Sequence, residues 1–337
     1  MFTASSVGSF FNYFIMYVVG FILGSFGGLF SESAGIINIA LEGAMVFGAF
    51  SGIIFLQIMS TSLAGAWLVT TFSGLIILYL LAALVAILFS ILFSFLLSFV
   101  AIRLKADQTV VGTALNTVAV AICTIINTHI TKKDSPEVAN NIFSQILRVN
   151  TGNVFIDRTF SGLNSAVVLA VIIIIVLWVL MNKTRFGLRL RACGENPAAA
   201  DSVGINVYKM RYIGTAIGSS AAGLGGFVIF SCLPIGTWQI DALGYGFLVL
   251  AIEIFGNWKT VNIMLCSLFF AFFFSFAPTF TAALSTIANN PVKGTIFGIR
   301  AFYYLLPYLL ALISLIIFSK KSRAPKAEGI PYDKSLR

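Results

Sequence analysis

Glu32 and Glu42 are the only charged residues between Met1 and Ile102, and Glu42 follows Asn38 by four residues inside the apolar stretch GIINIALEG at 35–43. A carboxylate in hydrocarbon is costly enough that it is expected to face a bundle interior or a wet cavity. On a helix Asn38 and Glu42 share one face. That face either lines a polar route through the protein or ties neighbouring helices together by hydrogen bonds. Glu253, flanked by Ile252 and Ile254, poses the same choice deeper in its segment, and a pathway or interhelix role is expected of it. Ser31, Glu32 and Ser33 read as caps of helix ends at the membrane surface.

Other chemistries find little support. The four cysteines, Cys123, Cys193, Cys232 and Cys266, stand singly with no C-x-x-C pair, and His129 is the only histidine, at a segment edge. They read as small buried hydrophobes and an interfacial side chain, so no metal site or disulfide framework is expected. No nucleophile stands with a base, so an enzyme is not expected. The chain also lacks a Gly-Lys dipeptide and hence a phosphate-binding P-loop.

The elements that must position these residues are set by composition. With 59% hydrophobic and 10% charged residues and a mean hydropathy of +0.99, the chain is far from a soluble globule, which is about half apolar and about a quarter charged. Its solvent is lipid. Continuous apolar runs at 9–30, 66–102, 108–128, 165–182, 261–284 and 298–318 reach or approach the roughly 20 residues a membrane helix needs. Three more at 37–57, 209–231 and 243–256 are richer in glycine or shorter. The runs do not alternate, which selects helices over a barrel. The expected fold is all-α and polytopic, with nine crossings in one membrane domain, 1–318. The stretch 129–164 is an extracellular loop and 319–337 a basic cytoplasmic tail.

Basic residues orient this bundle. With the C-terminus inside, Arg103, Lys105, the basic residues between Lys183 and Arg211, Lys259 and those of the tail make fifteen cytoplasmic cations. Six fall outside: Lys132, Lys133, Arg148, Arg158, Lys293 and Arg300. That asymmetry follows the positive-inside rule and places the N-terminus outside. It also accounts for the net charge of +9 without nucleic acid. No cleavable leader is expected, because the first basic residue is Arg103.

Crossings one to four and six to nine then form two groups around a linking fifth, an inverted 4+1+4 repeat of the kind many transport proteins use. The second member of each group is interrupted: SESAGIINIALEGAMVFGAF in one and IGTWQIDALGYGFLVLAIEIFGNW in the other carry clustered glycines and acidic residues. In GTAIGSSAAGLGG, Gly214, Gly218, Ala222 and Gly226 recur every fourth residue, the pattern of close helix packing.

Between crossings five and six, RFGLRLRACGENPAAADSVGINVYKMR punctuates as a short helix outside the membrane. Asn196 suits the N-cap, Pro197 the first helical position, Ala198 to Ala200 the interior and Gly204 a left-handed stop. About two turns result, too short to span. Such an element either receives a push from a soluble partner or is an ordinary amphipathic connector.

RACGENPAAADSVGINVYKMRYIGTAIGSSAAGLGG, with GLFSESAGIINIALEGAMVFGAF, ADQTVVGTALNTVAV and GYGFLVLAIEIFGNWK, resembles the permeases of ABC importers for ribose, branched-chain amino acids and nucleosides. The likeness runs in order from about Gly28 to Leu315 and is greatest to the nucleoside subgroup, whose permeases work beside a basic-membrane-protein-type lipoprotein. The resemblance implies a transport subunit of the bacterial cytoplasmic membrane that pairs with a second, related permease. It also implies a partner ATPase with two nucleotide-binding halves, which binds ATP and Mg2+ while this chain binds no cofactor, and an extracellular substrate-binding lipoprotein. In it the 190–206 loop is the coupling element, so the ATPase contact falls on Gly194, Glu195, Asn196, Pro197, Ala199, Asp201 and Gly204. Two positions depart from the family: Glu253 stands where an apolar residue is usual, and Thr260 where proline is frequent. One N-terminal crossing of the ribose-type permeases is also missing.

The implied mechanism is alternating access, driven through the loop around Pro197. A nucleoside offers an aromatic face and hydroxyls, which Trp238, Tyr245 and Phe247 would meet by stacking and Asn38 and Glu42 by hydrogen bonds. The same aromatics are equally readable as interfacial anchors. The alternatives are a permease for ribose or another small sugar, and a secondary transporter driven by an ion gradient through Glu42 and Glu253.

Overall fold

The computed structural model describes residues 4–61, 71–131, 137–139, 151–160, 163–232, 237–285, 305, 308–309, 312–313 and 323–333. The chain runs α1 (Ala4–Ser33), α2 (Leu41–Thr61), α3 (Phe72–Ile102), α4 (Gln108–Thr131), β1 (Glu137–Ala139), α5 (Val154–Phe160), α6 (Ser165–Lys183), α7 (Arg185–Glu195), α8 (Pro197–Ser202), α9 (Val207–Cys232), β2 (Thr237–Gln239), α10 (Tyr245–Gly256) and α11 (Thr260–Ser285). Among the described residues the fold is helical apart from one short antiparallel ladder, in which Val138 pairs with Trp238. Seven of the described helices, α1, α2, α3, α4, α6, α9 and α11, are long and apolar enough to cross a bilayer.

Two of the nine expected crossings are therefore not among these seven. The 243–256 segment forms α10, whose 12 residues make a rod of only ~18 Å, short of the hydrocarbon thickness. Its bounds are conformational: Gly244 and Asn257 both lie in the left-handed region, at φ +78° and +52°. The 298–318 segment lies almost wholly outside the described residues. The long run ending at Ile102 is a single helix from Phe72, started by Thr71, whose hydroxyl accepts the Gly74 N–H.

Small residues decide which helix faces meet. On α3, Ala82, Ala86, Ser90, Ser94 and Ser98 turn inward while Leu88, Leu92 and Phe99 face outward. Water cannot sort the two faces of such a helix in lipid, so close backbone approach does. The centre of the bundle is α1 packed on α9. A Cβ on Gly218 would lie 2.3 Å from the carbonyl oxygen of Gly27, and one on Gly27 2.6 Å from that of Gly218. Gly20 and Gly225 approach each other in the same reciprocal way. The stripe read from the sequence thus serves packing: Gly214, Gly218 and Ala222 face α1, while Gly226 faces Met45 of α2.

The remaining helices flank this pair reciprocally, α9 lying against α2 and α3, and α1 against α10 and α11. One end of the bundle gathers the start of α1, α5 and the end of α9. There Asn12 donates to the Thr159 carbonyl and Asn164 to the Ser231 hydroxyl, both at 3.0 Å. The opposite end gathers the α1–α2 turn, α7, the α10–α11 turn and the 323–333 segment.

Substituting Gly27→Val or Gly218→Val is expected to destabilise the detergent-solubilised protein by ~1–3 kcal/mol, the usual cost of overpacking a tight contact. Leu88→Ala, at a position 59% exposed toward lipid, is expected to change stability by no more than ~0.5 kcal/mol. Thermal unfolding followed by circular dichroism measures both.

Candidate functional site

The site is built where α2 and α10 begin inside the bundle. Gly35, at φ +90°, turns the chain after α1, and residues 36–40 run back non-helically before α2 starts at Leu41. Side chains of α4 and of the residue that opens it hold this stretch. Ile37 N–H donates to Gln108 Oε1 at 2.8 Å and Gly43 N–H to Asn116 Oδ1 at 2.8 Å, while Asn116 Nδ2 donates to the Ile39 carbonyl at 3.0 Å. Asn38 therefore precedes the helix and does not share a face with Glu42; the left-handed turn at Gly35 overrides the i, i+4 expectation. Its Nδ2 donates to Ser31 Oγ at 2.9 Å, and its Oδ1, fully buried, accepts no hydrogen bond from the described protein groups.

Glu42 reaches across to the start of α10. Its Oε1 accepts the Gly244 N–H at 2.9 Å, and its Oε2 accepts those of Gly246 at 2.7 Å and Phe247 at 3.2 Å. A carboxylate here does what water would do outside a membrane: it satisfies donors that the first turn of a helix leaves open, and it sits at the positive end of the helix dipole. Gly246 is required for the fit, since a Cβ there would lie 2.3 Å from Glu42 Cα. In this conformation the interhelix role of Glu42 is the one realised.

Glu253 sits near the other end of α10 and is fully buried. Gly28 of α1 makes room for it, for a Cβ at 28 would lie 1.8 Å from Glu253 Oε2. Its neighbour is Glu32, whose Oε2 accepts the Trp258 indole N–H at 2.7 Å. Glu32 is thus more than a cap at the end of α1: it joins α1 to the α10–α11 turn.

An aromatic cluster adjoins the start of α10. The Tyr245 ring contacts Phe21, Phe230 and Phe274, and its hydroxyl lies 3.2 Å from that of Tyr17. Trp238 stacks on Phe230 at 4.8 Å and donates its indole N–H to the Asp241 carbonyl. Tyr308 closes one side, donating to the Leu243 carbonyl at 2.8 Å. Two of the expected aromatics, Trp238 and Tyr245, therefore converge, whereas Phe247 is 52% exposed on the outer face of α10. Aromatic rings and the capped start of α10 adjoin here, with Trp238 and Tyr245 buried in the packed cluster.

The 190–206 connection has the capping read from the sequence. Asn196 Oδ1 accepts the Ala199 N–H at 3.0 Å, Pro197 opens α8, and Gly204 follows at φ +84° with open space around it. The sequence reading missed α7. Its buried face of Gly187, Leu190, Cys193 and Gly194 packs on the bundle, and Thr184 caps it. Gly194 is pressed on the end of α1, where a Cβ would lie 2.5 Å from the Ser33 carbonyl oxygen. Glu195 and Ala199 are exposed beside it. Asp201 is half-buried.

Gln108, Asn116, Tyr17, Phe230 and Phe274 belong to the site and went unread. Their only advance signal is the placing of amides or aromatics on faces that sequence spacing alone does not orient. Among the described residues no group of three or more His, Cys, Asp or Glu is disposed to hold a metal.

Residues 10–315 match the family described as branched-chain amino acid transport system / permease component. The chain is 34% identical over 326 residues to the guanosine ABC transporter permease protein NupQ of Bacillus subtilis, covering 96% of each chain. It is 34% identical over 332 residues to the nucleoside ABC transporter permease protein NupC of Lactococcus lactis, covering 95% of each. A shorter match, 28% identical over 122 residues, links it to the nucleoside ABC transporter permease protein NupB of the same organism. No solved structure matches.

Glu42→Ala orphans three backbone donors and is expected to lower stability by ~1–3 kcal/mol for each one left buried and unpaired. Glu42→Gln, which keeps one acceptor oxygen, is expected to lose less than half as much. Unfolding temperatures of the purified variants test the order Ala, then Gln, then wild type.

Proposed function

Because the chain belongs to the family of branched-chain amino acid transport system permease components, we propose that it is the membrane subunit of an ATP-driven importer of nucleosides. The observation that carries the substrate class is its similarity, over nearly its whole length, to relatives named for guanosine and nucleosides. A nucleoside's base would stack in the cluster around Trp238 and Tyr245, and its hydroxyls would meet polar groups near Asn38 and the starts of α2 and α10. An ion-driven carrier is disfavoured because the relatives similar over nearly the whole chain are named as ABC transporter permeases.

The topology we infer has nine crossings, with the half-length α10 and the 298–318 segment completing the seven long helices. The reciprocal flanking of α1 and α9 supports an inverted repeat about that pair. The start of α1 and the 323–333 segment lie at opposite ends of the bundle, which supports an outside N-terminus and a cytoplasmic tail. On the cytoplasmic side α8 would seat in a separate ATPase with two nucleotide-binding halves, which holds ATP and Mg2+. A second, related permease would complete the membrane pair, and an extracellular lipoprotein would deliver substrate. ATP binding would then push α7 and α8, move the end of α1 through Gly194, and rock the broken spans between outward and inward access.

Cysteines introduced at Ala199 or Asp201 are expected to cross-link to an ATP-hydrolysing subunit in native membranes, and uptake of labelled guanosine by the reconstituted complex is expected to require ATP. Uptake by the isolated chain under a proton or sodium gradient would overturn the proposal. Asn196→Ala should cost ~1 kcal/mol of helix-cap stability and lower coupled uptake, whereas Asn196→Ser should largely restore it.

A further inference from the structure

The C-terminal segment Arg323–Asp333 is bound back onto the bundle at separate cytoplasmic connections. Arg323 N–H donates to Asn257 Oδ1 at 2.8 Å in the α10–α11 turn, and Ala327 N–H donates to the Gly194 carbonyl at 2.8 Å in α7. Gly329 N–H donates to the Gly35 carbonyl at 3.3 Å, the residue that turns the chain toward α2. Tyr208 of α9 donates to the Tyr332 carbonyl at 3.2 Å, with the two rings 5.4 Å apart, and Lys105 in the α3–α4 connection pairs with Asp333. The fit is close: Ala327 and Tyr332 are buried, and Gly329, at φ +74°, lies so near Ile37 that a Cβ would come within 2.7 Å of it. One short strand of tail thus links the element beside α8 to both turns that precede or follow the broken spans.

We propose that Arg323–Asp333 is a cytoplasmic latch, which ties α7 and the Gly35 turn to the α3–α4 connection through Asp333 in the conformation described and must leave that connection for the spans to rearrange. The proposal rests on the reading of α7 and α8 as the ATPase contact. The geometry requires it in the following sense. A push on α8 is carried by α7, and α7 is bonded through Gly194 to the same segment that is bonded to Gly35. Neither contact can move away from the α3–α4 connection while its hydrogen bond and the Lys105–Asp333 pair persist.

The latch carries its own titratable group. The Glu328 carboxyl is pushed up to about 8, first by burial and then by the nearby Glu32. The charged groups that act on it among the described residues are Glu32 and Glu253, while Arg211 and Tyr208 face Tyr332 instead. A carboxyl raised in the docked state favours docking fully below its ordinary value near 4.5. That advantage is lost progressively as the pH rises toward 8. Docking therefore weakens across the neutral range.

The test uses the full complex of permeases, ATPase and binding protein in proteoliposomes. Lys105→Cys and Asp333→Cys, in a Cys266→Ser background, are bridged by a reducible thiol cross-linker. Bridging is expected to be near complete and to lower ATP-driven uptake at least ~10-fold, because a covalent tie removes the released state from the population. Reduction is expected to restore uptake. A bridged complex that transports at the unbridged rate overturns the latch, and so does a chain that does not bridge, whatever the ATPase does. Loss of ATP-dependent uptake in the unbridged control instead marks a failure of the coupling reading. With spin labels at the same two positions, the docked-to-undocked ratio is expected to fall at least ~10-fold from pH 6 to pH 8, and Glu328→Gln to remove that dependence. A ratio with the same pH response in both chains overturns the part assigned to Glu328.

Discussion

In hydrocarbon the first N–H groups of a helix have no water to bond, so a helix that begins inside the membrane must be given protein acceptors. Among the described residues α2 and α10 begin inside the bundle, and much of the polar chemistry around them answers that requirement. Glu42 serves α10, with both carboxylate oxygens on backbone N–H groups. Gln108 and Asn116 serve the stretch leading into α2. Because Glu42 stands on α2 and its partners on α10, the cap of one broken span is a residue of the other. The two spans cannot part without leaving buried donors unsatisfied, and that ties their motions together.

Close packing of α1 on α9 provides the frame against which those spans are held. Glycines at 20, 27, 218 and 225 bring the backbones together where side chains would keep them apart. Gly28, on the same helix, spares room for the Glu253 carboxyl. The frame and the site are therefore not separate parts: a small residue on α1 decides whether an acidic one on α10 can be accommodated. The aromatic cluster extends the same logic, since Phe21 comes from α1, Phe230 from α9 and Tyr245 from α10.

Transport by such an assembly needs a rigid path from the ATPase to the spans. In the coupling we propose, Gly194 would supply it, for it is pressed against the Ser33 carbonyl at the end of α1, only a few residues before the turn that leads into α2. The short distance in sequence from Glu32 to Glu42 becomes a short distance in mechanism. On that proposal, motion delivered at α7 would reach Glu42, the residue that caps α10, through the end of α1 and the Gly35 turn.

What the sequence determined by itself was whatever is local or additive. Apolar runs name the long spans, because hydrophobicity sums along a helix. Asn196, Pro197 and Gly204 mark α8, because capping and left-handed geometry are set within a few residues. The four-residue spacing of Gly214, Gly218 and Ala222 gave a packing face for the same reason. The sequence did not decide that Asn38 lies before α2, since Gly35 adopts a left-handed turn that only the surrounding packing stabilises. Nor did it reveal that Glu42 caps a helix starting 202 residues away, that Glu32 meets Trp258, or that the tail returns to Gly194 and Gly35. In lipid a helix with apolar residues on every side carries no pattern that says which face turns inward. Those pairings came only with the tertiary structure, which alone brings a buried donor and a distant acceptor to within hydrogen-bonding reach.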